Sequence, residues 1–448
     1  MNVTIRATLV TAYSLLLGAC SQDSSQGSGN AANATGSSAL SGGQLAESGG
    51  TLSSSGGNST ANSGGVSVVP TGGSGATTLS AGGATASGGT LSSSGGSSVA
   101  SGGSNDASIA VPTVTGPCDI FASASPSTPC VAAHSTVRAL FDNYDGKLYQ
   151  IRRADNATQD ITTLTAGGFA DGQAQSDFCL GTSCVITVLY DQTGNGNDLW
   201  YQGSTEVPGS PASSPADAMT EQLKVSGNLV YSLYIKPGNS YWRDGSQTGV
   251  PTGTEPEGIY MVTSGTHYNG GCCFDYGNSE TTRKADAAGA MDAIYFGSSC
   301  WFENPQNPSY KCTGGGPWVQ ADLEWGLYSS DSQSMWNSQQ MTFMVPYVTA
   351  MLKNNGTTEF SLKGSDATTG TLATLYKGQL PGGYSPMKKQ GAIVLGSGGD
   401  CCKPDGGANL SEGTFYEGAI VSGYPSDATD DLIQANIVAA GYGKDAQP

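Results

Sequence analysis

The sequence predicts an all-β fold: a two-sheet antiparallel β-sandwich closed by a C-terminal helix. Three observations predict it. Short runs of alternating apolar and polar residues recur from about 145 to 425. Gly, Asn, Asp and Pro punctuate them at short intervals. The runs do not alternate with the helical segments that βαβ units need.

In chain order the runs include CVITVLYDQTGNGN (184–197), GIYMVTSG (258–265), MTFMVPYVTAML (341–352), FSLKG (360–364), GAIVLGSGG (391–399) and TFYEGAIVSG (414–423). Two segments read as helices. One lies near 132–143, around VAAHSTVRALFD. The other lies near 427–440, where DATDDLIQANIVAA puts Leu432, Ile433, Ile437 and Val438 on one face after an acidic first turn.

The 448 residues do not all belong to that fold. Residues 21–117 are dominated by Ser, Gly, Ala and Thr, with no Lys or Arg and three acids, Asp23, Glu47 and Asp106. The string SGGTLSSSGG occurs at 48–57 and again at 87–96, yet no period carries an apolar face. Such a segment cannot bury enough apolar surface to offset its ordering entropy, so a flexible tether is expected over 21–117. Residues 118–448 remain as one folded unit.

Residues 1–20 read as a signal peptide: Arg6, an apolar run short for a bilayer, then small residues. The ending Leu17-Gly18-Ala19-Cys20 resembles a lipobox, which would make Cys20 the lipid-modified residue of an exported, surface-anchored protein. An ordinary cleaved signal followed by secretion is the alternative. Setting Cys20 aside leaves ten of eleven cysteines, an even number that suggests disulfides in an exported chain. Proximity suggests Cys118 with Cys130, Cys179 with Cys184 and Cys300 with Cys312. It also suggests the adjacent pairs Cys272–Cys273 and Cys401–Cys402, with crossed pairing between the two adjacent pairs left open.

Setting aside Arg6 and the three tether acids leaves 17 basic and 33 acidic residues, a net charge of −16 on the folded unit. Phosphate backbones would be repelled, so nucleic acid is excluded as a partner, whereas a neutral substrate would be unaffected. A monomer is expected.

Two histidines, His134 and His267, are all that Ser-His or Cys-His chemistry could use. His134 has no motif around it and reads as a buried hydrogen-bonding residue; His267 precedes the cysteine pair and could shape its loop. Zinc-ligand spacing is absent. DQTGNGND (191–198) lacks an acid at the third position of a calcium loop and reads as a tight turn between strands. Carboxylates remain. In PWVQADLEWGLY (317–328), alternation puts Gln320, Asp322 and Glu324 on one face of a strand. In GAIVLGSGGD (391–400), an apolar strand ends in Gly-Gly and delivers Asp400. Acids lining a cleft, with Phe274, Trp301, Trp318, Trp325 and Tyr328 nearby in sequence, suit a carbohydrate, although most of those aromatics could equally be core.

Several stretches, in order, resemble the catalytic domain of glycoside hydrolase family 54. They are GPCDIF, TPCVAAHSTVRAL, LTAGGFAD, YDQTGNGNDL, GTHYNGGCCFDYGNSE, GPWVQADLEWGLYS, GAIVLGSGGD and GTFYEGAIVSGYPSDATDDLIQANIVAAGY, from about Gly116 to Tyr442. The resemblance implies a concanavalin-like or jelly-roll sandwich and a retaining α-L-arabinofuranosidase, in some members with β-xylosidase activity. It implies Glu324 as nucleophile, Asp400 as acid/base, Asp322 on sugar hydroxyls, Trp301 packing on sugar, and Gly399 at close backbone approach. A disulfide between Cys272 and Cys273 is implied to lie against the arabinose. No metal or organic cofactor is implied. The expected partners are arabinose-containing plant polysaccharides and oligosaccharides. The second pair, Cys401–Cys402, departs from the family pattern, as does Trp325-Gly326, where relatives tend to carry amides. A non-catalytic surface sugar-binding protein and a structural adhesin are the rival expectations.

Overall fold

The computed structural model describes residues 116–209, 213–300, 312, 314–332, 334–396 and 410–445. The expected signal peptide, Cys20 and the tether up to 115 lie outside them. At the start of the described residues Gly116 is already buried and Pro117 opens a helix.

Helix α1 (Pro117–Ser123) leads into β1 (Cys130–Ser135), β2 (Lys147–Arg153) and β3 (Thr158–Thr162). Helix α2 (Gly172–Phe178) precedes β4 (Cys184–Leu189), β5 (Leu199–Tyr201), β6 (Gln222–Val225), β7 (Asn228–Tyr231), β8 (Leu233–Ile235) and β9 (Tyr241–Asp244). There follow β10 (Glu257–Tyr268), β11 (Asp275–Ser279), β12 (Asp292–Gly297), β13 (Trp318–Asp322) and β14 (Leu327–Tyr328). The last are β15 (Val348–Asn354), β16 (Glu359–Asp366), β17 (Ala373–Gln379), β18 (Ala392–Leu395), β19 (Gly413–Ser422) and α3 (Asp427–Ala440).

These strands make the antiparallel sandwich the sequence predicts. One sheet runs β1-β19-β10-β15-β16-β17, with β8 also on β19; the other runs β14-β13-β12-β11-β18-β9-β5-β4-β2-β3. Strands β12 and β13 pack across on β10, β15 and β16, so alternate residues fill the space between the sheets. Ile294, Phe296, Val319, Ala321, Tyr276, Ile393 and Leu395 come from one side; Ile259, Met261, Ala350, Leu352 and Leu362 come from the other. Burying such apolar side chains contributes roughly 1.5–3 kcal/mol each.

Helix α3 forms where predicted. Ser426 caps its start by accepting from the Thr429 N–H, and Gly441 ends it with a left-handed φ of 88°. Ile433 and Ile437 are buried as expected, but Leu432 is exposed. The ammonium groups of Lys353 and Lys363 each contact Asp427 and Asp430, tying the helix to β15 and β16.

The helix expected near 132–143 is instead β1 and an irregular segment. All six residues of β1 are buried, so no polar face marks it as a strand. The free edge is closed by the 190–198 loop: the Ala133 N–H donates to Asp191 Oδ1 at 3.0 Å, and the Gln192 N–H donates to the Ala133 carbonyl at 2.9 Å. That loop joins neighbours β4 and β5 but is longer than a tight turn. The Asp191 carboxylate also accepts from Thr193 and Asn197, so its oxygens serve the backbone. Residues 341–347, expected as strand, are irregular; β15 starts at Val348.

Candidate active site

Strand β13 sends Val319 and Ala321 into the inter-sheet core, so Trp318, Gln320 and Asp322 lie on the outer face of the ten-stranded sheet. The strand was expected to carry Glu324 as well. It ends at Asp322, because Glu324 and Trp325 both adopt left-handed backbone, with φ of 64° and 58°. Each such non-glycine residue costs on the order of 1–3 kcal/mol and persists only where neighbours hold it. Here Asp322 Oδ1 accepts the Glu324 N–H at 3.1 Å, and the Tyr384 hydroxyl donates to the Glu324 carbonyl at 2.7 Å. The Gly289 N–H donates to the Leu323 carbonyl at 2.8 Å. The Trp325 N–H donates to Glu324 Oε1 at 3.3 Å. Asp322 and Glu324 are 7% and 8% exposed.

Cys272 and Cys273 form a disulfide between neighbours, as the resemblance implied. Cys273 packs with Tyr295 and Leu327, and Cys272 lies against the same group. Both sulfurs and an Asp322 carboxylate oxygen lie within 4.8 Å of one another. Paired sulfurs offer no thiolate, so this cluster is a poor metal donor set and a good sugar-facing surface: polarizable on one side, anionic on the other. Asn269 shapes the cysteine loop, accepting from the Gly271 and Glu412 N–H groups and donating to the Leu410 carbonyl. His267, the residue expected to shape that loop, instead stacks on Tyr234 at 3.6 Å and bonds the Thr414 hydroxyl. Burial lowers its pKa to about 4.

Glu280, one residue past β11, completes the constellation and was missed in the sequence. It is 1% exposed. Burial holds its pKa well above the usual carboxylate range, and hydrogen-bond contact with the Glu324 carboxyl, then the charges of Glu324 and Asp322, push it the same way. The Trp242 indole N–H donates to the Glu280 carbonyl at 3.3 Å. The signal available was an acid directly after the buried run DYGNS.

Asp400, Gly399, Cys401, Cys402 and Trp301 lie outside the described residues. The residues flanking 397–409 are placed: the Gly396 N–H donates to the Asp275 carbonyl at 3.0 Å, and the Leu410 carbonyl accepts from Asn269. One flank therefore meets the start of β11, two residues past Cys273, and the other meets the cysteine loop. Among the described residues three further disulfides pair as proximity suggested: Cys118–Cys130, Cys179–Cys184 and Cys300–Cys312. Such bonds fit an oxidising, extracellular compartment. Among the aromatics, Phe274 and Tyr328 are inter-sheet core. Trp318 packs on Trp336, and Trp325 is 49% exposed beside Glu324. His134 is fully buried between the Tyr276 hydroxyl and the Asn197 carbonyl, and burial lowers its pKa.

The family described as alpha-L-arabinofuranosidase B, catalytic, matches residues 117–443. Alpha-L-arabinofuranosidase B of Emericella nidulans is 46% identical over 340 residues, 73% of this chain and 62% of that one. A probable alpha-L-arabinofuranosidase B of Aspergillus fumigatus is 45% identical, over 73% of this chain and 63% of that one. The chain thus spans under two thirds of the length of these relatives. A solved arabinofuranosidase complexed with arabinofuranosyl-α-1,2-xylobiose is 42% identical, with a TM-score of 0.65, covering 73% of this chain and 65% of that one. A family 54 arabinofuranosidase soaked with a cyclic sulfate inhibitor gives a TM-score of 0.66 at 42% identity, covering 73% of this chain and 66% of that one. The chain belongs to the family of alpha-L-arabinofuranosidase B catalytic domains, glycoside hydrolase family 54.

Proposed function

We propose that this protein is a retaining, exo-acting α-L-arabinofuranosidase that removes terminal arabinofuranosyl groups from arabinoxylan, arabinan and their oligosaccharides. The observation that carries the proposal is the clustering of Asp322 with the paired sulfurs of Cys272 and Cys273, with Glu324 in the turn directly after Asp322. Sugars need such a mixture of hydrogen-bonding anions and a flat apolar floor.

Glu324 attacks the anomeric carbon and the glycosidic C–O bond breaks, with Asp400 giving its proton to the leaving oxygen. Asp400, now ionised, takes a proton from water, whose oxygen displaces Glu324 and releases arabinose with retained configuration. Asp322 takes sugar hydroxyls, the sulfurs of Cys272 and Cys273 support the ring, and Gly399 and Trp301 complete the pocket. The contacts of Gly396 with the start of β11 and of Leu410 with the cysteine loop favour Asp400 as the second carboxylate. Upstream, Cys20 anchors the protein through lipid and residues 21–115 tether it; a Cys20→Ser variant is then released from membranes.

Proton NMR of residues 116–448 acting on 4-nitrophenyl α-L-arabinofuranoside tests the reading. Early α-arabinofuranose supports it, and early β-product overturns the assignment of Glu324. No product from this substrate or from the β-xyloside favours a sugar-binding protein instead. Glu324→Gln is expected to lower kcat by roughly three orders of magnitude or more while sugar still binds.

A further inference from the structure

The two-carboxylate chemistry leaves Glu280 without a role, yet its surroundings are those of the reacting group. Its Oε1 is buried and meets no protein donor among the described residues. Its Oε2 accepts from Ser279 Oγ at 3.2 Å. Strands β11 and β13 flank β12 and run the same way, with Asn278 opposite Asp292 and Asp322 opposite Ala293, so Glu280 and Glu324 leave the sheet at the same end, where the side chain facing Glu280 is another carboxyl, that of Glu324. Two ionised carboxylates cannot share a buried contact, so one of the pair carries a proton. Glu324 has the Trp325 N–H on Oε1 and a more open position, which favours its ionised form. Glu280 has one distant hydroxyl. Among the described residues, neither Asp322 nor Arg283 alters the choice. Asp322 is anionic and opposes ionisation of Glu280. The Arg283 guanidinium lies over the Trp242 ring at 5.3 Å and donates to Gln202 and Pro208.

We propose that Glu280 is a positioning residue: as a neutral acid it donates its O–H to the Glu324 carboxylate and holds that nucleophile in its attacking rotamer. No proton changes hands in the cycle. When Glu324 becomes the glycosyl ester, the same O–H points at an ester oxygen. When water displaces the ester, the hydrogen bond strengthens as charge returns to Glu324, so the donor favours the second half-reaction. The role rests on Glu324 being the nucleophile.

The acidic limb of the kcat/KM profile reads the ionisation of Glu324 in the free enzyme. Measured with 4-nitrophenyl α-L-arabinofuranoside, Glu280→Ala is expected to raise that limb by about one pH unit, because an anion loses a charge-assisted donor. Glu280→Gln keeps an N–H donor and is expected to leave the limb within a few tenths of the wild-type position. An unmoved limb in a natively folded Glu280→Ala protein overturns the role. If the Ala variant does not fold, a limb displaced by a full unit in Glu280→Gln overturns it instead. Wild-type protein that hydrolyses nothing would defeat the underlying glycosidase reading, a result separate from either variant outcome.

Discussion

Asp322 Oδ1 accepts the backbone N–H of Glu324 at 3.1 Å, so the carboxylate that ends β13 also shapes the left-handed turn after it. Removing that acceptor should let the turn relax. Asp322→Ala is expected to lower kcat/KM about 100-fold, the usual consequence of displacing a reacting group by an ångström. Asp322→Asn keeps an acceptor and should lose less. Equal losses in the two variants would show that the charge of Asp322, rather than its hold on the turn, matters.

Trp325 is 49% exposed and its backbone N–H donates to Glu324 Oε1, so the residue stands beside that carboxylate. Aromatic contact of this kind is worth about 0.5–1.5 kcal/mol. Trp325→Ala should therefore raise KM for arabinofuranosyl-xylobiose by roughly 2- to 12-fold, with a smaller change for methyl α-L-arabinofuranoside. Equal changes for both substrates would place the indole on the arabinose rather than on the leaving group.

Arg138 meets Glu417 through two bonds of 2.6 and 2.7 Å, and Glu417 also accepts from the Tyr442 hydroxyl at 2.8 Å, all in the core. Truncating one partner leaves the other charge buried, a loss of about 3–5 kcal/mol. Glu417→Ala should show it as a lower urea midpoint at unchanged slope. The double change Arg138→Met with Glu417→Leu should cost less than Glu417→Ala alone, and a larger cost would contradict this account.

Glu257, Asp292 and Lys389 form a fully buried group, with Lys389 Nζ 3.3 Å from Glu257 and 3.7 Å from Asp292. Burial pushes Glu257 up to about 8; Lys389 opposes the shift and Asp292 adds to it. The folded protein therefore keeps a proton that the unfolded chain releases near pH 4, and stability falls as pH rises from there towards 8. Glu257→Gln cannot lose that proton. Its urea midpoint should match wild type near pH 5 and exceed it at pH 8, whereas parallel curves would exclude Glu257 as the source of the slope.

The strands with one wet face were legible because alternation records them, and α3 because its caps and acidic first turn are local. β1 was not: its six buried residues show no alternation, and only the distant Asp191 loop makes the run a strand. In the site, Asp322 and the paired cysteines were legible from motif. The turn at Glu324 was not, because it depends on Tyr384, 60 positions away in sequence. Glu280 was hidden for a similar reason: its importance comes from meeting Glu324, a contact that no local pattern encodes.

The outward placement of Asp322 has an evolutionary consequence. The residues that let the sheets close on each other, such as Val319, Ala321 and Ile294, point away from the face that carries Asp322. Variation at Trp325 and in the neighbouring loops can then alter what that face binds without testing foldability each time. A lineage could exchange one ligand for another while its sandwich stayed as it was.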